Sequence, residues 1–245
     1  MYNKTVTVFS NILNRDIKIR IIHPGIPDCK WILLLHGYGG NQDQWVNNTS
    51  IETLAMEHGF AVIMPGCGDG YYENTVEPMK TFLGEELVPF IQQNFSVSKQ
   101  REDTYIAGVS MGGFGALLVG SHYSRCFSKI ACLSGAFIIP DVLIGNPGVL
   151  GAADANYFKK VFGDFETLEG SDRDPLHEVT LAAQESRMCP VYLACGNSDV
   201  LVECNQKVKQ HLDQLNISCE YHISTGGHNW SFWNKVLSES IKWLL

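Results

Sequence analysis

The chain has 245 residues, 45% hydrophobic and 18% charged, with a formal net charge of −8. That size and balance suit one domain (1–245) with a large buried core. Lys and Arg are scattered without a basic run, and no stretch approaches the roughly 18 apolar residues of a membrane span, so nucleic acid and membrane are excluded as expected partners.

Residues 4–10 and 15–22 alternate in polarity around 11–14 and read as an antiparallel hairpin at a sheet edge. Trp31–Leu35 is a continuous apolar run, the pattern of a strand covered on both faces. Ile51–His58, with Ser50 as a candidate N-cap and Gly59 at its end, reads as a helix. Residues 60–64 are the next strand, stopped by Pro65-Gly66, and 76–95 has helical spacing in Met79, Phe82, Leu83, Leu87, Phe90 and Ile91. A short apolar run, Thr104-Tyr105-Ile106-Ala107, is followed by a glycine-rich turn and a helix. Strands at 128–133, 190–195 and 219–223 follow, with helices at 200–215 and 229–244. Strand alternating with helix predicts an α/β fold built on a mostly parallel sheet. The exception is 136–187, a long segment with Pro140, Pro147 and Pro175, short helical patches such as 156–162 and no evident strand. A long excursion inside a compact domain is usually functional. Leaving the sheet next to the elbow described below, it is expected to be an inserted cap over a cleft.

The turn is Gly108-Val109-Ser110-Met111-Gly112, set between strand and helix as a nucleophile elbow requires. Side chains at Gly108 and Gly112 would collide with the neighbouring strand and helix. A serine hydroxyl is a weak nucleophile unless a base lies within hydrogen-bond reach and a third group orients that base. His228, after Gly226-Gly227 and between the last strand and last helix, fits the base best. His23, His36 and His58 precede the serine, and His122, His177, His211 and His222 are placed less well. The acid is expected in a loop after a strand, and Asp199 at the end of 190–195 occupies one. Its rival reading is an N-cap for the next helix, and Asp141, Asp154, Asp164 and Glu203 are weaker rivals. An oxyanion needs donors. The Met111 amide at a helix start is one candidate, and the Tyr38 amide in His36-Gly37-Tyr38-Gly39-Gly40 is the other. His36 is expected to hold that loop by hydrogen bonds. Gly66-Cys67-Gly68-Asp69-Gly70 resembles a phosphate loop, but no helix begins there and its spacing does not fit a dinucleotide fingerprint.

Eight cysteines occur, with no metal-type spacing, and the N-terminus lacks an apolar signal-peptide core. The expected location is therefore the cytoplasm, with the thiols reduced. No metal or organic cofactor is implied.

Leu33-Leu34-Leu35-His36-Gly37-Tyr38-Gly39-Gly40-Asn41, Ala107-Gly108-Val109-Ser110-Met111-Gly112-Gly113-Phe114-Gly115, Leu133-Ser134-Gly135, Val161-Phe162-Gly163-Asp164, Cys195-Gly196-Asn197-Ser198-Asp199 and Gly227-His228-Asn229-Trp230 with Trp233 resemble the esterase D superfamily of α/β-hydrolases. The likeness is greatest to bacterial tributyrin esterases, then to feruloyl and acetylxylan esterases. The resemblance implies the α/β-hydrolase fold, a Ser110-His228-Asp199 triad and an oxyanion hole from Tyr38 and Met111. S-formylglutathione hydrolases share the fold but usually carry Gly-His-Ser where this chain has Gly-Val-Ser. Acyltransferases of the fold use the same acyl-enzyme. The expected activity is a serine carboxylesterase acting on a small-molecule ester with a short acyl group, the feruloyl or acetylxylan esterase reading coming second. Tyr71, Tyr72 and Trp230 are candidate substrate contacts, and the oligomeric state, monomer or homo-oligomer, stays open.

Overall fold

The computed structural model describes residues 1–139, 142 and 155–245. The strands are β1 (Tyr2–Ser10), β2 (Arg15–His23), β3 (Trp31–Leu35) and β4 (Ala61–Pro65). They continue with β5 (Thr104–Val109), β6 (Lys129–Leu133), β7 (Val191–Gly196) and β8 (Cys219–Ser224). All eight lie in one sheet in the order β1-β2-β4-β3-β5-β6-β7-β8. β1 pairs antiparallel with β2 and β2 antiparallel with β4, and every later pairing is parallel.

The residue pattern explains this order. Every residue of β3, β4, β5 and β7 is buried, as central strands covered by helices on both faces must be. The hairpin is half exposed and sits at one edge. Its turn is pinned across the chain: Glu86 accepts from the Ser10 hydroxyl at 2.5 Å and from the Asn11 and Ile12 amides at 2.8 and 3.2 Å.

Helices α1 (Gln44–Asn48), α2 (Ile51–His58) and the closing helix Trp230–Leu244 cover one face, around Trp45, Leu54, Trp233 and Leu237. The other face packs under α3, which runs through Met79–Thr81, a wider π-helical turn at Phe82–Leu87, and Val88–Asn94. It also carries α4 (Met111–His122), α5 (Ala155–Phe162), α6 (Pro175–Gln184) and α7 (Val202–Gln214), which makes the closing helix α8.

Some expectations shift. The helix expected from residue 76 begins at Met79, after Pro78. Ser50 stands at the N-cap of α2 but makes no side-chain cap; its amide and hydroxyl both donate to Asn234 Oδ1, at 2.9 and 3.2 Å, tying α2 to α8. Within 136–187 the described residues hold α5, a short turn at Phe165–Thr167 and α6, and no strand. Pro140, Asp141, Pro147 and Asp154 lie outside the described residues. α6 starts as sequence rules ask, with Pro175 in its first turn and Asp174 accepting from the Leu176 amide at 2.9 Å.

No helix among the described residues is long and apolar enough to cross a membrane.

Candidate active site

The parallel strands all end at one edge of the sheet, and loops leaving that edge carry the candidate groups. β5 ends at Val109, and α4 begins at Met111. Ser110 between them has φ 55° and ψ −119°, a left-handed backbone that costs a non-glycine residue roughly 1–3 kcal/mol. Packing holds it there. The Ser110 amide donates to Leu133 O at 2.9 Å, and its carbonyl accepts from Ala136 and Gly113 at 2.9 Å each. The two elbow glycines meet the sterics expected of them. A methyl at Gly108 would fall on the Gly112 carbonyl, and one at Gly112 would come within 2.6 Å of His36 O.

Ser110 Oγ lies 2.9 Å from His228 Nε2. His228 Nδ1 lies 3.1 Å from each carboxylate oxygen of Asp199, which stands in the loop after β7. The Asp199 side chain is fully buried and the His228 side chain about a quarter exposed. Burial alone would raise the Asp199 carboxyl. The His228 hydrogen bond and charge, the Leu201 amide and the Ser134 hydroxyl outweigh it and hold Asp199 below the ordinary carboxylate range. Asp199 Oδ1 also accepts from the Leu201 amide at 2.9 Å, so the residue both shapes the start of α7 and faces the imidazole. Of its rivals, Asp164 caps the short turn after α5 through the Glu166 amide. An ionised carboxylate only accepts, so Nδ1 carries the proton and Nε2 is left to accept from the serine. Such a relay can move a proton off the hydroxyl as the oxygen attacks an electrophile. The Met111 and Tyr38 amides have no acceptor among the described residues, which leaves both free for a bound oxygen.

A cavity of about 200 Å³ opens at Ser110. Tyr38, Tyr71, Tyr157, Phe158, Trp230 and Trp233 wall it, together with His228 and the start of the β3 loop. For scale, a cavity of roughly 150 Å³ holds a benzene.

The full length of the chain matches known proteins. The family model described as "putative esterase" matches residues 10–244. The chain belongs to this esterase family. An acetyl esterase of Caldicellulosiruptor saccharolyticus is 38% identical over 98% of this chain and 96% of its own. Among solved structures, the Staphylococcus aureus fluorophosphonate-binding serine hydrolase FphF superposes with a TM-score of 0.90 at 23% identity, covering 99% of this chain and 98% of that one. The S-formylglutathione hydrolase FrmB of Staphylococcus aureus does so with a TM-score of 0.88 at 24% identity, covering the same shares. The esterase has the α/β-hydrolase fold, falls in the esterase D superfamily and is a carboxylic ester hydrolase.

The esterase holds its β3 loop as expected of His36. The Cys67 amide donates to His36 Nε2 at 3.1 Å, which puts the proton on Nδ1, 2.8 Å from Gly37 O. Burial pushes the His36 pKa down, against the pull of the Gly37 carbonyl and the Asp69 charge. Gln44 accepts from the Gly37 amide at 2.9 Å, and Asp69 from the Gly39 amide at 2.7 Å. Asp69, in the loop that resembled a phosphate cradle, therefore braces the β3 loop. Tyr71 and Trp230 line the cavity as sequence reasoning placed them. Tyr72 does not: its hydroxyl donates to His36 O at 2.7 Å and its ring packs on Gly115, so it belongs to the core behind the cleft. Tyr157, Phe158 and Trp233 line the cavity without having been assigned to it. The signal for the first two was the aromatic face of the 156–162 patch; for Trp233 it was one helical turn from Trp230.

Proposed function

We propose that this esterase is a serine carboxylesterase that hydrolyses short acyl esters through Ser110, His228 and Asp199. The observation that carries the reading is the continuous contact from Asp199 to His228 Nδ1 and from Nε2 to Ser110 Oγ at the mouth of a small aromatic cavity. In the first half-reaction His228 takes the Ser110 proton as Oγ bonds to the ester carbonyl carbon. The Met111 and Tyr38 amides hold the resulting oxyanion. The carbon–oxygen bond to the alcohol breaks, and the alcohol leaves with the proton from His228. Water, deprotonated by His228, then attacks the acyl-serine, and the carboxylic acid departs as Ser110 regains its proton.

The cavity volume supports acyl groups of a few carbons, and the acetyl esterase relative supports the smallest. The aromatic walls favour a second reading, a planar aromatic acyl group such as feruloyl stacked along Trp230 and Tyr157. The whole chain is proposed as one catalytic domain, with the 136–187 segment as its cap; α5 supplies Tyr157 and Phe158 to the cleft wall. We place it in the cytoplasm, with its eight cysteines as thiols.

The test is kcat/KM on p-nitrophenyl acetate, butyrate and octanoate beside methyl ferulate, acetylated xylan and S-formylglutathione, with Ser110→Ala as control. The expected result is at least about tenfold preference for acetate or butyrate over octanoate, the discrimination a hydrophobic pocket gives against methylenes it cannot hold. Loss of nearly all turnover is expected in Ser110→Ala, on the order of 10⁶-fold by analogy with other triad nucleophiles. An octanoate rate equal to acetate, or an active Ser110→Ala, overturns the proposal.

A further inference from the structure

Ser134 closes β6 beside the elbow, fully buried and with φ 47°. This left-handed backbone strains any residue with a Cβ, and a glycine would relieve it. The chain nevertheless carries a hydroxyl there. The segment is fixed from both sides: the Ser134 amide donates to Ala194 O at 2.7 Å, and the preceding carbonyl, Leu133 O, receives the Ser110 amide.

Trp233 Nε1 lies 2.9 Å from Ser134 Oγ. An indole N–H can only donate, so Ser134 accepts there, which leaves its single proton for another acceptor. The groups beside the Ser134 hydroxyl are the Asp199 carboxylate, whose charge it helps to stabilise, and the Cys195 thiol; of the two the charged carboxylate is the stronger acceptor. The same Trp233 ring stands edge-on to the His228 imidazole, with centroids 4.8 Å apart and planes at 90°. Trp233 therefore touches the base directly and the acid through Ser134.

We infer that Ser134 and Trp233 form a positioning brace for the esterase: the indole fixes the serine hydroxyl, the hydroxyl fixes Asp199, and the indole ring fixes the plane of His228. The inference rests on the proposed roles of Ser110, His228 and Asp199. It gives the strained serine a task that core packing does not require, because a glycine or an apolar residue would fill that place without a hydroxyl. Cys195 also stands beside Asp199 and Ser134, with Cys204 next to it; burial and the Asp199 charge push the Cys195 thiol up to about 12, so it stays neutral across the working pH range.

The sign of the effect follows from charge. The Ser134 hydroxyl draws negative charge from Asp199. Without it Asp199 keeps more of its charge for the imidazolium and is a stronger partner to it. Ser134→Gly suits the positive φ and removes the hydroxyl together with its one carbon. In that variant kcat is expected to fall about tenfold with KM within a factor of two, an orienting contact being lost but not a substrate contact. The acid limb of kcat/KM should move to higher pH by roughly half a unit. Trp233→Phe keeps a ring against His228 and removes the donor. Its loss should not add to that of Ser134→Gly in the double variant, because part of its effect passes through the serine. An unmoved acid limb in a folded Ser134→Gly, or fully additive losses in the double variant, overturns the brace. Ser110→Ala, run alongside, separates the two levels: if it remains active the underlying triad reading fails, whereas an inactive Ser110→Ala with an unmoved limb in Ser134→Gly removes the brace alone.

Discussion

Asp199→Asn separates the two things Asp199 does. The wild-type residue accepts from Leu201 through Oδ1 at 2.9 Å and faces His228 Nδ1 with both oxygens at 3.1 Å. Asparagine keeps one oxygen and replaces the other with an amine. If the oxygen stays on the Leu201 amide, the amine meets the Nδ1–H, and two donors cannot bond. The imidazole escapes by moving its proton to Nε2, where it faces Ser110 and can no longer accept. The wrong tautomer is worth on the order of 10⁴ in kcat, the magnitude known for the equivalent change in a serine protease. The Leu201 contact survives, so the fold loses little: a change of 1 kcal/mol would move Tm by roughly 2–4 °C in a chain of this size, and less than that is expected. A residue that only started α7 would behave in the opposite way, losing a little stability and no turnover. The assay is kcat on p-nitrophenyl acetate above neutral pH together with thermal unfolding of the same preparation. A kcat within tenfold of wild type refutes the argument.

Three further outcomes follow from the geometry. In Gly108→Ala the new methyl lands on the Gly112 carbonyl, where neither backbone can yield, so a loss of about 3 kcal/mol or more is expected; a wild-type Tm would show that the elbow has room. Phe158→Leu opens the inner wall of the cavity and should shift preference from acetate toward longer acyl chains, with a stability loss of about 1 kcal/mol; an unchanged chain-length profile would show that Phe158 does not limit the acyl group. Because Asp199 is held below its ordinary range in the folded chain, the stability it contributes is complete above the unfolded carboxylate pKa near 4 and is lost as the pH falls through the lower folded value. Below about pH 4 the Tm of Asp199→Asn should therefore fall less steeply than that of wild type, as thermal scans across acid pH will show.

The central sheet was legible because its strands are continuous apolar runs, and Trp31–Leu35 is the same five residues in sequence and structure. The elbow was legible because its glycines have a steric cause that no other residue satisfies. Less could be read where two adjacent residues of one type face opposite ways. Tyr71 and Tyr72 both have positive φ, at 54° and 61°, and this unusual turn sends one ring to the cleft and the other to the core. The start of α6 carried its signals, Asp174 and Pro175, yet the surrounding polar turns hid them. The site contacts of Trp233 and Ser134 depend on which helix face and strand end meet in space, and no spacing rule reports that.

The hydrogen bonds of His36 bear on how an activity–pH curve of this enzyme should be interpreted. One of its ring nitrogens is occupied by the Cys67 amide, the other faces the Gly37 carbonyl, and its own carbonyl receives Tyr72. A second imidazole thus stands behind the cleft and is held neutral by its surroundings, so His36 should not be read as the base. Protonating His36 would expel the Cys67 amide and release the loop that presents the Tyr38 amide. Its depressed pKa means that the stability this arrangement supplies is full above about 6.5 and drains away below it. Acid exposure should therefore loosen the β3 loop as His36 takes up its proton, and with it the placing of the Tyr38 amide at the mouth of the cavity.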